Sequence, residues 1–383
     1  MTASIRNARI DFLRGIAISS VLILHFTLAY GMKNSPIGTL LPAWLLTGLV
    51  LNGNFGVTIF FVVSGFLITS HALSRWGSLD QIDAGAFYAQ RFARIMPSLA
   101  LALTIIVALG LLDLPYFSNT DGALPLPAAY FVPAVGSVLT FWHNVLMQSS
   151  GYFNYCLNVY WSLSVEEMFY LGLPIVCLCL RRTWLIVAVC CAAIVAGPIY
   201  RSQHLDNDIY FMYGYWACFD AIAIGCLAAL LSRRMVGRRL AGWRMVSGIA
   251  MLFIYLRGID GHVIFGFSLM ALAAAGFLLG SANDGSAGWT NGKASGALRW
   301  LGRHSYEIYL FHIIVLGLMR NVLRKDQLSY GARLPYLLLF LALTAGVAAL
   351  VARYVSNPAN AAIRRYYLER VTATRGKLSR GKI

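Results

Sequence analysis

The sequence predicts an all-α integral membrane protein, a bundle of about ten transmembrane helices with both termini in the cytoplasm. Composition is the first support for this fold class. Hydrophobic residues make up 59% of the 383 residues and charged residues only 12%, whereas a soluble chain carries about 25% charge. Apolar runs of roughly twenty residues also recur from end to end, which is the length a helix needs to cross a bilayer.

Ten apolar runs have the composition of membrane-spanning helices, and the seventh is short for a span. They cover 15–32, 51–74, 95–112, 157–180, 183–200, 214–232, 245–257, 262–281, 304–320 and 335–355. A further apolar segment, 131–148, contains Pro133, His143 and Asn144. We interpret it as a re-entrant or interfacial piece, because a full span there would break the charge pattern between the runs.

The distribution of basic residues predicts the orientation of the bundle. With the N-terminus in the cytoplasm, 24 of the 31 Lys and Arg residues fall in cytoplasmic gaps and 7 in outside gaps. This asymmetry follows the positive-inside rule and places both termini in the cytoplasm. The net charge of +16 is scattered over short gaps between apolar runs, which argues against a nucleic-acid surface and for topology signals and lipid contacts.

The chain is predicted to form one transmembrane domain, 1–358, followed by a basic tail, 359–383, on the cytoplasmic membrane surface. No internal repeat or long linker marks a second domain, and no cleavable signal peptide is expected. The seven cysteines lie mostly in apolar runs and are interpreted as small hydrophobic residues. No spacing of Cys and His resembles a zinc site, so no metal is predicted.

Arg14 and His25 are the first candidate functional pair. Eleven residues of helix are about three turns, so both side chains lie on one face, roughly 16 Å apart. His25 falls near the middle of the bilayer, where an ionisable group is a functional candidate by default. One interpretation is a core histidine hydrogen-bonded between helices. The other is a general base, since imidazole removes a proton from an alcohol near neutral pH.

Glu166 and Glu167 lie two to three turns into the fourth predicted span, at a depth close to that of His25. Adjacent residues diverge by about 100° on a helix, so we expect only one of them to face the first helix. The other pairs elsewhere, and a structural pairing role for both stays open. The pattern argues against a glycosidase site, because neighbouring carboxylates on one helix cannot flank a sugar.

Arg91 and Arg94 precede the third predicted span. Their three-residue spacing puts both guanidinium groups on one helix face at the cytoplasmic surface. Such a pair can grip the phosphates of a soluble anionic ligand. The alternative is that both arginines are topology signals only.

Four further polar residues lie within predicted spans. His312 is in the ninth span, close to Tyr309, where structural pairing and chemistry are both possible roles. Asp220 is a buried acid that must find a partner. Ser64 precedes Gly65 at a point suited to close helix approach, and it lacks the elbow motif of a hydrolase nucleophile. The remaining histidines are expected at edges or in loops without a role: His71, His143, His204, His262 and His304.

Taken in order, these motifs resemble the acyltransferase-3 family of multi-span membrane O-acyltransferases. The stretches that carry the resemblance are 11–15 leading to His25, 60–69, 91–97, 161–174, 219–225 and 301–312. Each motif alone is weak. The ordered set is specific, with ten residues separating an arginine from a histidine and the run Trp-Ser-Leu-Ser-Val-Glu-Glu at 161–167. One departure is Asn357-Pro358, where such families often carry Glu-Pro, so that position is assigned nothing.

The resemblance implies transfer of an acyl group, usually acetyl, from an acyl-coenzyme A to a hydroxyl. Expected acceptors are carbohydrates such as lipopolysaccharide, exopolysaccharide, peptidoglycan or another surface glycan, and the expected location is a bacterial cytoplasmic membrane. It also implies that Arg14 and His25 form the functional pair, that Arg91 and Arg94 belong to the donor-binding face, and that Glu166 belongs to the signature.

The mechanism that follows is a hypothesis. Donor phosphates rest on Arg91 and Arg94 together with Arg14, the pantetheine arm reaches His25 between helices, and His25 deprotonates the acceptor. Glu166 orients His25 or the acceptor, and direct transfer and an acyl-histidine intermediate both stay open. Two rival functions are a transporter that exports an acylated or acidic solute and a scaffold that presents a glycan to another enzyme. Buried His, Glu and Asp suit a proton-coupled transporter, but the paired repeats of many transporters are not evident.

Overall fold

The structure, a computed structural model, describes residues 7–122, 124–235, 241–282 and 292–367. Within these ranges the regular structure is helical, without strands. In chain order the α-helices are α1 (Ala8–Tyr30), α2 (Pro36–Leu40), α3 (Ala43–Leu51), α4 (Asn54–Trp76), α5 (Ala84–Leu111), α6 (Phe131–Leu139), α7 (His143–Ser150), α8 (Trp161–Leu180), α9 (Thr183–Ser202), α10 (Asp208–Tyr213), α11 (Tyr215–Arg234), α12 (Ala241–Arg257), α13 (Gly266–Ala282), α14 (Lys293–Arg303), α15 (Ser305–Val322) and α16 (Arg333–Val351). Most of the predicted tail, from 368 onward, lies outside the described residues.

Helices occupy all ten predicted span positions, but the count of ten spans is not confirmed. In the described ranges, seven helices are long and apolar enough to cross a membrane, and they include α1, α4, α5, α8, α9, α11 and α16. The two helices α12 and α13 have 17 residues each, which at 1.5 Å per residue is about 25 Å and shorter than the bilayer core. The ninth predicted span, α15, carries Glu307, His312 and Arg320, which lower its apolar character.

The segment predicted to be re-entrant or interfacial, 131–148, contains two short helices, α6 and α7. The chain turns between them at Thr140–Trp142, where Phe141 has a φ of 65°. His143, expected at an edge or in a loop, begins α7 with no exposed surface. Its Nδ1 lies 2.8 Å from the Ser137 hydroxyl, and its backbone N–H donates to Ser164 of α8. The side chains of Ser137, His143 and Asn144 are therefore buried in the bundle, whereas Thr140 at the turn is exposed.

Two glycine contacts set the spacing of the helices around the site. Gly65 of α4 faces the carbonyl of Ile222 on α11, and Gly225 of α11 faces the carbonyl of Val62 in return. A Cβ atom at either glycine would overlap those oxygens. This is the close approach that the small residues at 64–65 predict. Gly15 of α1 and Gly302 of α14 make the equivalent contact at the other side of the bundle, each against the partner helix backbone.

The buried apolar residues form two clusters with the candidate site between them. One cluster is built mainly by α4, α8, α9, α11 and α13. The other is built mainly by α1, α5, α7, α8, α15 and α16. Phe60 and Trp161 pack against both. The seam between the two clusters is where polar side chains from five helices meet.

Candidate active site

A cavity of about 170 Å³ lies between α1, α4, α5, α8 and α15. Seven of the ten predicted site residues line it: Arg14, Ser64, Arg91, Arg94, Glu166, Glu167 and Tyr309. His25, Asp220 and His312 do not line this cavity. The other polar lining residues are His71, Ser162, Tyr170, Ser305 and Tyr306.

The centre of the cavity wall is an arginine held by two carboxylates. Nη2 of Arg91 on α5 lies 3.0 Å from Oε1 of Glu167 and 3.7 Å from Oε1 of Glu166, both on α8. The guanidinium carbon also lies 3.6 Å from the centre of the Tyr170 ring. Arg91 is therefore a partly buried structural cation as well as a lining residue, which the position of 91–94 before a span did not predict.

The two neighbouring glutamates have different environments. The Glu167 side chain is 6% exposed, whereas that of Glu166 is 26% exposed. Glu166 Oε1 also accepts hydrogen bonds from the Ser64 hydroxyl at 2.6 Å and from the Tyr170 hydroxyl at 2.7 Å. Both carboxylates line the cavity, and Glu166 is the more exposed of the two. In the described part of the chain it makes no hydrogen bond to His25, so the expected orienting contact is absent.

Two further arginines line the cavity. Arg14 on α1 donates from Nη2 to the Ser305 hydroxyl at 2.8 Å. Its helix begins at Ala8, where the Asn7 side chain caps the first turn, so Arg14 lies well inside α1 rather than at its start. Arg94 is exposed, one turn beyond Arg91 on α5. Three guanidinium groups from two helices therefore border one cavity, and the carboxylates of Glu166 and Glu167 offset the charge of Arg91. The remaining positive charge of Arg14 and Arg94 suits an anionic group.

His25 lies next to this cavity in a smaller pocket of about 20 Å³. The two spaces share Val57, Ser162 and Tyr309 as lining residues. The Ser162 and Tyr309 hydroxyls are 2.8 Å apart and form a hydrogen bond, and the Tyr309 hydroxyl also donates to the Val159 carbonyl. His25 therefore faces the interior of the bundle rather than lipid. The Ser162–Tyr309 pair is the partition between His25 and the arginine-lined cavity.

His312 lies on the other side of His25. The two imidazole rings are perpendicular, with centroids 5.0 Å apart. His312 has no exposed surface, and its Nδ1 is 2.7 Å from the Tyr309 carbonyl oxygen. Its Nε2 has no hydrogen-bond partner among the described residues. Two histidines, taken from the first and the ninth predicted spans, thus meet in the centre of the bundle.

Asp220 is the predicted site residue that belongs elsewhere. It forms a buried ion pair with Arg201, whose Nη2 is 2.8 Å from Oδ2, and Ser268 donates to the same oxygen. Arg201 also donates to the carbonyls of Ala217 and Ile264. The charge count places Arg201 in an outside gap, yet its side chain has no exposed surface. Asp220 therefore joins α9, α11 and α13 instead of lining the cavity.

Sequence reasoning did not single out Ser162 or Tyr170, although a signal was available. The residues Ser162, Glu166 and Tyr170 are spaced by four, so they form one stripe along α8. All three line the cavity. Ser305, the partner of Arg14, carried no such signal because it belongs to a different helix. The described residues contain no group of three or more His, Cys, Asp or Glu placed to hold a metal ion.

Comparison with known proteins agrees with the resemblance. A family described as an acyltransferase domain, acyltransferase-3, matches residues 7–353. The chain is 22% identical over 373 residues to the O-acetyltransferase OatA of Staphylococcus aureus, covering 91% of this chain and 56% of that protein. It is 26% identical over 342 residues to the putative peptidoglycan O-acetyltransferase YrhL of Bacillus subtilis, covering 82% and 49%.

A third relative is the peptidoglycan O-acetyltransferase OatA of Listeria monocytogenes, which is 25% identical over 339 residues, covering 83% of this chain and 50% of the relative. The chain thus spans about half the length of the curated relatives it matches. No solved structure matches it. Because the family match extends over nearly the whole chain, the expected membership is confirmed: this multi-pass membrane protein belongs to the acyltransferase-3 family.

Proposed function

We propose that this chain is a membrane O-acetyltransferase that moves an acetyl group from acetyl-coenzyme A to a hydroxyl of a cell-wall or other surface glycan. Family membership supports acyl transfer. The names of the relatives support an acetyl group and a peptidoglycan-type acceptor. The proposed location is a bacterial cytoplasmic membrane, with both termini in the cytoplasm.

The observation that carries the proposal is the contact between two spaces of different chemistry. An arginine-lined cavity borders a pocket that contains a histidine, and the Ser162–Tyr309 hydrogen bond separates them. Coenzyme A has an anionic phosphate end and a thin, mostly uncharged arm. Arg14 and Arg94 are suited to its phosphates, with Arg91 as an adjoining cation. The arm is suited to a passage that opens when Ser162 and Tyr309 separate.

The reaction then follows from the position of His25. Its imidazole removes the proton of the acceptor hydroxyl, and the hydroxyl oxygen attacks the thioester carbonyl. The carbon–sulfur bond breaks, and the coenzyme thiolate takes up the proton from His25. The hydroxyls of Ser162 and Tyr309 are the nearest candidates to stabilise the oxyanion of the tetrahedral intermediate. In the alternative route, a His25 nitrogen attacks the thioester carbonyl and the carbon–sulfur bond breaks to release the coenzyme thiolate. The acceptor hydroxyl then attacks the acyl-histidine, the nitrogen–carbon bond breaks, and the hydroxyl proton is taken up by the released imidazole.

The test is transfer of label in reconstituted vesicles that contain the full chain. The wild-type protein, given ¹⁴C-acetyl-coenzyme A and peptidoglycan fragments, is expected to leave acetyl esters on the glycan. His25→Ala is expected to be expressed and folded but inactive, because the base is lost. Unchanged transfer by His25→Ala would overturn the assignment. Flux of label without transfer would instead indicate a transporter, and neither flux nor transfer would indicate a scaffold.

A single-turnover experiment separates the two orders of bond formation. The protein is mixed with labelled donor and no acceptor, then denatured and counted. Label on the protein that is absent from His25→Ala supports the acyl-histidine route. An unlabelled protein that transfers normally when acceptor is added supports direct transfer.

A further inference from the structure

We infer that His312 is a positioning residue for His25: its Nε2 accepts a hydrogen bond from the His25 ring and thereby sets which His25 nitrogen acts as the base. The inference rests on the proposed function, in which His25 removes the acceptor proton. It assigns a task to a buried group that the mechanism above does not use.

The first step concerns the proton on His312. Its Nδ1 is 2.7 Å from the carbonyl oxygen of Tyr309. A carbonyl oxygen can only accept a hydrogen bond, so Nδ1 must carry the proton. A neutral imidazole has one protonated nitrogen, and Nε2 of His312 is therefore a lone-pair acceptor.

The lone pair of His312 Nε2 receives no hydrogen bond from any residue that the structure describes. This nitrogen is buried. Buried polar atoms without partners are uncommon in proteins because they have lost water and gained nothing in exchange. A neighbouring ring that can turn a donor onto this nitrogen would satisfy it.

The third step identifies the partner. The His25 ring is perpendicular to that of His312 at a centroid distance of 5.0 Å. An N–H···N hydrogen bond between two imidazoles puts the centroids about 5 Å apart, given donor–acceptor distances near 3 Å. His25 makes no hydrogen bond of its own among the described residues. The torsion that turns its ring has a broad energy profile, so a rotation brings one N–H onto His312.

A hydrogen bond to His312 would orient the His25 ring both before and after it takes the acceptor proton. With one nitrogen donating to His312, the other His25 nitrogen is left unprotonated and free to face the Ser162–Tyr309 side. After His25 takes the acceptor proton, the imidazolium keeps its hydrogen bond to His312. Serine proteases use a carboxylate for this purpose. A neutral imidazole performs the same orientation without placing another charge in the bilayer.

Two substitutions separate positioning from packing. His312→Gln retains an acceptor near the place of Nε2, whereas His312→Asn retains a group near Nδ1 and lacks an acceptor near Nε2. We expect His312→Asn to lower kcat by about 100-fold or more and to leave the KM for acetyl-coenzyme A unchanged. We expect His312→Gln to stay within about 10-fold of wild type. Transfer to peptidoglycan fragments is measured with the full chain in vesicles.

His143 provides a matched control. It is also fully buried, its Nδ1 is hydrogen-bonded and its Nε2 has no partner among the described residues, but it does not line the cavity or the His25 pocket. His143→Asn measures how much a buried His-to-Asn substitution lowers activity when it acts through packing alone. We expect its kcat to stay within about 3-fold of wild type. Nitrogen-15 NMR of histidine-labelled protein adds a second readout, in which His312→Asn alone alters the tautomer signal of His25.

The outcomes keep the inference apart from the proposed function. Wild-type kcat in His312→Asn, with His25→Ala inactive, overturns the inference and leaves the function standing. Equal loss in His312→Asn, His312→Gln and His143→Asn, with an unchanged His25 tautomer signal, also overturns it. Activity in His25→Ala overturns the proposed function itself.

Discussion

Among single residues, Arg91 and Arg94 differ most from what their spacing indicates. The sequence places them on one helix face with one role. In the structure Arg91 is 3.0 Å from a buried carboxylate and stacks on Tyr170, while Arg94 is exposed at the cavity. Removing a guanidinium that is paired with two carboxylates lowers the stability of the fold, because a buried charge loses its partner. Removing an exposed guanidinium has little effect on stability. The two arginines therefore differ in what they contribute.

Replacing Arg94 by alanine is expected to weaken donor binding without unfolding the protein. An exposed cation that contacts phosphate contributes roughly 1–2 kcal/mol, so the KM for acetyl-coenzyme A should rise about 10-fold. The measurement is the initial rate of transfer against donor concentration in vesicles. If the KM for acetyl-coenzyme A were unchanged in Arg94→Ala, Arg94 would not bind the donor and would act only as a topology signal.

Arg91→Ala is the contrasting variant. It leaves Glu167 buried without its cation, a change that costs about 3–5 kcal/mol. We expect a lower melting temperature in detergent, and partial recovery when Glu167→Gln is added, because the uncompensated charge is then gone. A donor-binding defect with wild-type stability would contradict this distinction.

The sequence identified site residues where a polar or charged side chain falls within an apolar run, because such a group is costly to place in lipid. Arg14, His25 and His312 are conspicuous for that reason, and they all lie at or next to one site. Tyr309 was predicted, three residues before His312 on the same helix. Ser162 was missed although it shares a stripe of α8 with Glu166, and Ser305 could not be predicted because it reaches Arg14 from a different helix. Glu166 was expected to orient His25 or the acceptor. Among the described residues its partners are Ser64, Arg91 and Tyr170, and a role toward the acceptor stays a prediction.

Among the helices, the close contacts at glycine residues determine how far apart neighbouring helices lie around the site. The Gly65–Gly225 contact fixes the separation of α4 and α11, and Ser64 on the same turn of α4 reaches Glu166. Separating these helices would move one wall of the cavity away from α8. The packing of α4 on α11 therefore positions a site residue.

Gly65→Ala is expected to reduce both stability and transfer, because the new Cβ overlaps the carbonyl oxygen of Ile222. Overpacking of this kind costs about 1–3 kcal/mol. Gly172→Ala in α8 is the matched control, since a Cβ there meets nothing within 4 Å and alanine favours the helix. Thermal unfolding in detergent measures both variants. Equal stability of the two would refute the proposed role of the contact.

Helix positions were more predictable than helix ends. The apolar runs mark all ten positions, but α1 begins seven residues earlier than the predicted 15, since Asn7 caps it and polar residues continue the helix. The helices α3 and α14 were missed. The first has only 9 residues, and the second is rich in basic and small residues, so neither has the apolar length on which the prediction relied.

At the scale of the whole molecule, orientation in the membrane is the prediction to test. The excess of basic residues on one side places the loop after α15 outside and the turn between α8 and α9 inside. Asp326→Cys and Arg182→Cys put a thiol at exposed positions in these two connections. A membrane-impermeant maleimide should label the first variant in intact cells and the second only after permeabilisation, with wild type as the background. The reverse pattern would invert the topology.

The arrangement of the two apolar clusters was beyond sequence reasoning. Hydropathy indicates which runs enter the membrane but not which helices adjoin, so the seam between the clusters and its cavity appear only in the folded chain. The pairing of Asp220 with Arg201 illustrates the same limit. The two residues are only 19 positions apart, but the charge count placed Arg201 in an outside gap, and hydropathy does not show that its side chain turns into the bundle.

The narrowness of the His25 pocket has a consequence for the cell's energy supply. A polar route that admits a donor from one side and an acceptor from the other would, if filled with water, let protons leak down the membrane potential. About 20 Å³ holds roughly one water molecule, and hydroxyls bonded to each other close the space beside it. A pocket of this size is too small to hold a chain of water molecules, so under the proposed function the resting enzyme is expected not to conduct protons across the membrane at His25.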